Sequence, residues 1–143
     1  LRERGYTAAF GQHSGVASEW LDPFFLPRFS FNEQYGGPER LELAINALPI
    51  PVKDITPRRI IIKNNPPFLG FTITDKDLNP KRLQCFASKQ SKPAYIEILG
   101  NSRVEIRFQE VFKKGRNRIN CTLPSKNNRW HWIGFQLISK SNP

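Results

Sequence analysis

The sequence predicts a mainly β protein in which an antiparallel sandwich follows a short αβ unit. From Arg58 onward, apolar residues recur with period two in short runs separated by turn residues, the signature of a sandwich or barrel. Ahead of that point a helix end, a glycine, an apolar run and a loop follow one another, the order of an αβ unit from a barrel or doubly wound sheet. Pro49, Pro51 and Pro57 punctuate the chain between the two, so units of 1–51 and 52–143 are expected.

Taken in order, residues 1–4 suit the final turn of a helix, with Gly5 where the left-handed conformation is needed. Tyr6-Thr7-Ala8-Ala9-Phe10 reads as a short strand of the kind buried on both faces in a parallel sheet. That leaves Gly11-Gln12-His13-Ser14-Gly15 as a loop at its carboxyl end. Asp22-Pro23 and Leu26-Pro27 make the next stretch irregular. The run 38–48 suits a helix: Pro38 fits its first turn, Glu39 and Glu42 its positive end, and Leu41, Ile45 and Leu48 one face. Strands are expected at 60–63, 69–74, 83–88, 94–99, 103–109, 117–123 and 130–138. Val104, Ile106 and Phe108 alternate with Glu105, Arg107 and Gln109, so that strand is half buried. Gly100-Asn101-Ser102 supplies a hairpin turn.

A chain of 143 residues, 38% hydrophobic with mean hydropathy −0.50, has a globular rather than a disordered composition. No apolar run approaches the roughly 18 residues of a membrane-spanning helix, and no basic-then-apolar leader opens the chain. Its lack of Met suggests a piece of a longer product. The net charge of +10 favours anionic partners such as nucleic acid, acidic glycans or an envelope surface. The basic residues are nevertheless scattered over turns, the pattern of a solvated surface. Cys85 and Cys121 each fall in an expected strand. They either pair, as an exported domain allows, or pack as small hydrophobes. No Cys-x-x-Cys or neighbouring His completes a metal-ligand set around them.

His13, one of two histidines, sits in a loop after a barrel-type strand, where the sites of such folds are built. It can line a cleft or serve as a hydrogen-bonded loop residue. Arg28, between apolar neighbours, has the planar fork that binds a carboxylate, or it anchors an irregular loop through an ion pair. Trp130 and Trp132 share one face of the last strand, while His131 and Ile133 point the other way. Together the indoles form a sugar-stacking platform if exposed, or core if covered. The same aromatics beside basic residues suit nucleic acid, but no motif of an RNA- or DNA-binding module is present. No Asp/His/Glu set has metal-ligand spacing and no glycine-rich phosphate loop occurs. By its own residues the chain has no independent active site.

A series of short motifs runs through nearly the whole chain: Arg4-Gly5-Tyr6-Thr7-Ala8-Ala9-Phe10-Gly11-Gln12, Ser14-Gly15-Val16, Leu26-Pro27-Arg28-Phe29, Tyr35-Gly36, Asn46-Ala47-Leu48-Pro49, Asn65-Pro66-Pro67, Gly70-Phe71-Thr72, Cys85-Phe86-Ala87-Ser88, Arg118-Ile119-Asn120-Cys121-Thr122 and Trp132-Ile133-Gly134. In this order they resemble the C-terminal part of bacterial polysaccharide deacetylases of the NodB type, carbohydrate esterase family four. The resemblance implies that 1–51 is the last strand and helix of a distorted (β/α) barrel and 52–143 an appended β-sandwich. It further implies a parent hydrolase that removes acetyl groups from an envelope or extracellular glycan, using a divalent metal (zinc as a rule) held by Asp and two His, with a second Asp as base and a late His as acid. None of those motifs matches a position here, so no catalytic or metal residue is carried over. Gln12, His13 and Arg28, in matching motifs at the barrel mouth, are the expected cleft-lining residues. The implied partners are a polysaccharide and a separate chain carrying the rest of the barrel, in an extracytoplasmic setting if the parent is exported. A free-standing carbohydrate-binding module and a basic nucleic-acid-binding protein are the alternatives.

Overall fold

Alternation of apolar and polar residues sorts the second half of the chain into strands, and their pairing makes two antiparallel sheets. The computed structural model describes residues 1–140 and is mainly β, with 35% strand and 11% helix. The helix is α1 (Pro38–Asn46). The strands are β1 (Val52–Thr56), β2 (Phe68–Ile73), β3 (Gln84–Ala87), β4 (Tyr95–Leu99), β5 (Arg103–Arg107), β6 (Gly115–Pro124) and β7 (Trp130–Ser139). One sheet has the order β1-β2-β5-β4, the other β3-β6-β7.

The inward residues of both sheets close one core. Leu69, Phe71, Val104 and Ile106 of the first sheet cluster with Cys85, Ile119, Cys121, Leu123, Ile133 and Leu137 of the second. Phe71 and Phe135 stack between β2 and β7 with ring centroids 5.7 Å apart. At roughly 25 cal/mol per Å² of apolar surface, burial of each large side chain contributes about 1.5–3 kcal/mol. Cys85 and Cys121 lie opposite each other in the β3–β6 register and are disulfide-bonded.

The outward face of the first sheet is knitted by charge. Arg103 donates to Glu105 Oε1 at 2.7 Å, to Asp54 O at 2.6 Å and to Thr56 Oγ1 at 3.0 Å, while Arg107 reaches Glu105 and Glu97 at 3.1 and 3.2 Å. Gly70 makes this arrangement fit. A Cβ there would lie 2.7 Å from Arg103 Nη2 and 2.8 Å from Glu105 Oε1.

The hairpins follow their turn residues. Gly100, with φ 61°, turns β4 into β5. Asn127 and Asn128, both at φ 56°, turn β6 into β7, and the Arg129 amide donates to Lys126 O at 3.2 Å. Two successive positive-φ residues define a type I′ turn, whose twist matches the flanking strands.

Three local expectations change. Residues 6–10 form no strand: Phe10 makes a single parallel bridge to Leu26, and Tyr6, Thr7 and Ala8 are exposed. A strand buried on both faces needs neighbours on both edges, and the described chain supplies one. Residues 60–63 make only the bridge Ile61–Ile138. Conversely β1 lies inside the proline-rich stretch that read as a boundary. Pro51 and Pro57 flank it, and the strand sits at a sheet edge, where a missing N–H costs nothing. Asp54, at φ 53°, occupies a register shift in its pairing with β2.

Residues 14–15, Phe29 and Leu48 lie against the outer face and free edge of β7. Ser14 and Gly15 pack against Gly134, so closely that a Cβ at Gly134 would overlap the Ser14 carbonyl oxygen. Leu48 pairs with β7 through N–H···O bonds to Trp130 O (2.8 Å) and from Trp132 (2.7 Å), and Ile50 is buried in the core. At the other end Ile62 donates to Ile138 O, and Ile138 donates to Ile60 O.

Because the disulfide closes a separation of 36 residues, its loss relaxes the unfolded chain. The double change Cys85→Ala/Cys121→Ala should lower unfolding free energy by about 2–4 kcal/mol in urea melts. An unchanged midpoint and slope would remove this role.

Candidate functional site

The loop residues 11–15 are fixed by their neighbours along the chain. Gly11 donates to Leu26 O at 2.8 Å, and the Arg28 amide donates to His13 O at 3.0 Å. The Arg28 side chain turns back, its Nε donating to Gly11 O at 3.2 Å. It makes no ion pair with a carboxylate among the described residues and so acts as a backbone clamp. Gln12, which is exposed, accepts a hydrogen bond from the Arg116 guanidinium of β6.

His13 is buried, with 4% of its surface accessible, and stacks on Phe25 at 4.7 Å. Gly11 leaves room for the ring: a Cβ there would lie 2.7 Å from its Cε1 and Nδ1. Burial without a charged partner penalises the imidazolium, so the pKa is pushed down from 6.5 to about 4. At neutral pH the ring is an uncharged hydrogen-bonding group. It cannot serve as a cation for an anionic substrate.

His13 forms one wall of a cleft of about 450 Å³ between residues 13–25 and the facing edges of β1 and β7. Ile55, Ile60, Leu69, Phe135 and Gln136 complete it. This is the meeting point of the two parts of the chain. Arg28 and Gln12 adjoin His13 in the loop, but neither lines the cleft.

The tryptophans have separate environments. Trp132 is half buried beneath Phe29, in an edge contact at 5.2 Å, and its Nε1–H donates to Asn120 Oδ1 at 3.4 Å. Trp130 is 41% exposed, so the pair does not offer two free ring faces in a row. Trp130 lines a second cleft of about 480 Å³ with Glu39, Glu42, Asn46, Asn127, Asn128 and Arg129. There α1 meets the β6–β7 turn, tied by Arg129 Nε donating to Asn46 O at 2.8 Å. The sequence marked Trp130 alone; the Asn127-Asn128 pair before it was the available turn signal.

Among the described residues no three His, Cys, Asp or Glu side chains gather as a metal site, and no helix is long and apolar enough to cross a membrane. No protein-family model matches the chain, and comparison with curated proteins finds no match.

The His13 shift sets a pH dependence. Between 6.5 and about 4 the unfolded chain holds the imidazole proton and the folded chain does not. Stability therefore falls as pH drops through that window, by about 2–3 kcal/mol in all. His13→Phe should flatten this part of the stability–pH curve. An identical slope in the variant would contradict the assignment.

Proposed function

We propose that the chain is the C-terminal portion of a polysaccharide deacetylase, supplying the closing elements of the barrel and an accessory β-sandwich. The catalytic metal would be held by the remainder of the barrel. The ordered motif series from Arg4-Gly5-Tyr6 to Trp132-Ile133-Gly134 supports this reading. The observation that carries it is the density of uncovered apolar side chains in the first third of the described residues, which holds eight of the sixteen large exposed ones. Tyr6 (58% exposed), Phe10 (63%), Phe31 (44%), Tyr35 (56%), Leu41 (50%) and Ile45 (72%) all lie in the first third of the chain. Uncovered apolar side chains at this density in one part of the chain are what a covering partner would bury. The exposed residues 6–8 and the outward apolar residues Leu41 and Ile45 of α1 would both be covered by a barrel that continues beyond them.

A glycan-contacting role for the β part is favoured by the Trp130 cleft. An indole offers an apolar face to a sugar ring, and the carboxylates, carboxamides and guanidinium around it match hydroxyl groups. Gln12, His13 and Arg28 remain the proposed contacts at the barrel mouth. The disulfide suits an extracytoplasmic setting.

Joined to the sequence encoded upstream in its reading frame, the protein should release acetate from an N- or O-acetylated glycan. A chelator should suppress the release, and zinc should restore it. Absence of chelator-sensitive release from peptidoglycan, chitin-type and exopolysaccharide substrates would sink the reading. On acetylated and deacetylated oligosaccharides, Trp130→Ala should weaken binding by about 2–10-fold in calorimetry; equal affinity would exclude that cleft.

A further inference from the structure

The connection between β1 and β2 folds around a cleft of about 340 Å³ whose lining includes Arg58, Arg59 and Lys63 and no Asp or Glu. All three cations are exposed. Among the described residues none of them makes an ion pair or a side-chain hydrogen bond, whereas the ion pairs present belong to Arg103 and Arg107. Three like charges around one cleft, with no counter-charge from the protein, favour an anionic partner. Two of them are guanidinium groups, whose planar fork matches a carboxylate.

Phe68 forms a wall of this cleft and is 61% exposed. It stands opposite Arg107 of β5, and Arg107 stands opposite Tyr95 of β4, which is 63% exposed. Directly opposed residues of antiparallel strands share a face. The two rings therefore project from the same side of the sheet, with Cα atoms about 10 Å apart. Arg107 lies between them, 5.7 Å from the Phe68 ring centroid, and pairs with Glu97 and Glu105. Along this row the charge is balanced between the rings and uncompensated beyond Phe68.

That pattern selects a ligand. Two exposed rings at this separation suit alternate units of an extended β-1,4-linked glycan, which stacks its apolar faces on aromatic side chains. The paired Arg107, Glu97 and Glu105 offer donors and acceptors to the hydroxyls between. The free cations call for one acidic unit at the Phe68 end. A nucleic-acid strand carries a phosphate on every unit and would meet unpaired cations at that end alone, which disfavours it.

We infer that the outward face of the first sheet binds an extended glycan, its acidic unit seated among Arg58, Arg59 and Lys63 and its neutral units running past Phe68 to Tyr95. This site has a different lining from the Trp130 cleft and needs no residue of the barrel. It stands apart from the deacetylase reading, and its failure would leave acetate release by the longer protein unaffected.

The test is an amide-shift titration of the chain at low salt with three probes. These are cellotetraose and the same tetrasaccharide with glucuronate as its non-reducing or its reducing terminal unit. One acidic form should bind about 10-fold tighter than cellotetraose, the worth of a charge-assisted hydrogen bond, with shifts confined to residues 56–68, 95–99 and 103–107. Arg58→Gln/Arg59→Gln should cut that preference to about 2-fold or less and leave cellotetraose binding unchanged. Tyr95→Ala should weaken binding of both by about 2–10-fold. The substituted side chains are exposed, so these variants keep the fold. Equal affinity for all three probes, or undiminished affinity in Tyr95→Ala, would overturn the inference. Tighter binding of a short oligothymidylate than of either acidic form would overturn it in favour of nucleic acid.

Discussion

The carbonyl oxygen of Ser14 occupies the space in which any residue but glycine at position 134 would place its Cβ. Gly15 completes the approach from the other side, where its own Cβ would come within 3.0 Å of the Gly134 amide and 3.2 Å of Pro27. Glycine permits such backbone-to-backbone packing because it has no side chain to hold the chains apart. What the sheet loses in propensity by carrying glycine in mid-strand is offset by seating a whole loop. His13 comes to line one cleft with Gln136, Phe29 reaches the indole of Trp132, and Gln12 meets Arg116. That close approach seats the loop of Ser14 and Gly15 on β7, while the Trp130 cleft is tied separately by Arg129 and Asn46.

The strand that carries Gly134 is correspondingly central. β7 pairs with β6 over ten residues on one edge. On its other edge, Leu48 covers one end and residues 60–62 cover the opposite end. A free strand edge is an aggregation hazard. Here it is protected by two segments that are not strands themselves. The cleft is the space left where these coverings do not meet, which explains why it is apolar. Its walls are edges of the core left uncovered beside the loop. Polar groups caught there, His13 and Gln136, consequently lack partners in the protein.

Much of the sheet architecture was legible in the sequence. Period-two alternation located six of the seven strands, since burial on one face leaves that imprint on Val104-Glu105-Ile106-Arg107 and its counterparts. β1 was hidden because prolines tolerated at an edge look like a linker. Residues 60–63 carried strand composition but found only one pairing partner. Cys85 and Cys121 were visible as candidates, while their opposition in register depends on how β3 aligns with β6. In the site, single residues were legible and their assembly was not. Nothing in Gln136 alone announces that it shares a cleft with His13, and the partition of Trp130 from Trp132 is decided by Phe29, more than a hundred positions away in the chain. Glu39, Glu42 and Asn46 read as helix residues, since only tertiary packing brings α1 against the β6–β7 turn.

The close approach at Gly134 can be measured by amide hydrogen exchange on Gly134→Val. The account predicts that the amides of Ala9, Gly11, Leu26 and Arg28, bonded within the seated segment, lose protection by 10-fold or more, an effect of about 1.4 kcal/mol. Amides of the β4–β5 ladder should keep theirs. Wild-type protection at those four amides in the valine variant would show that the segment is held by something else, and the account of the site would fail with it.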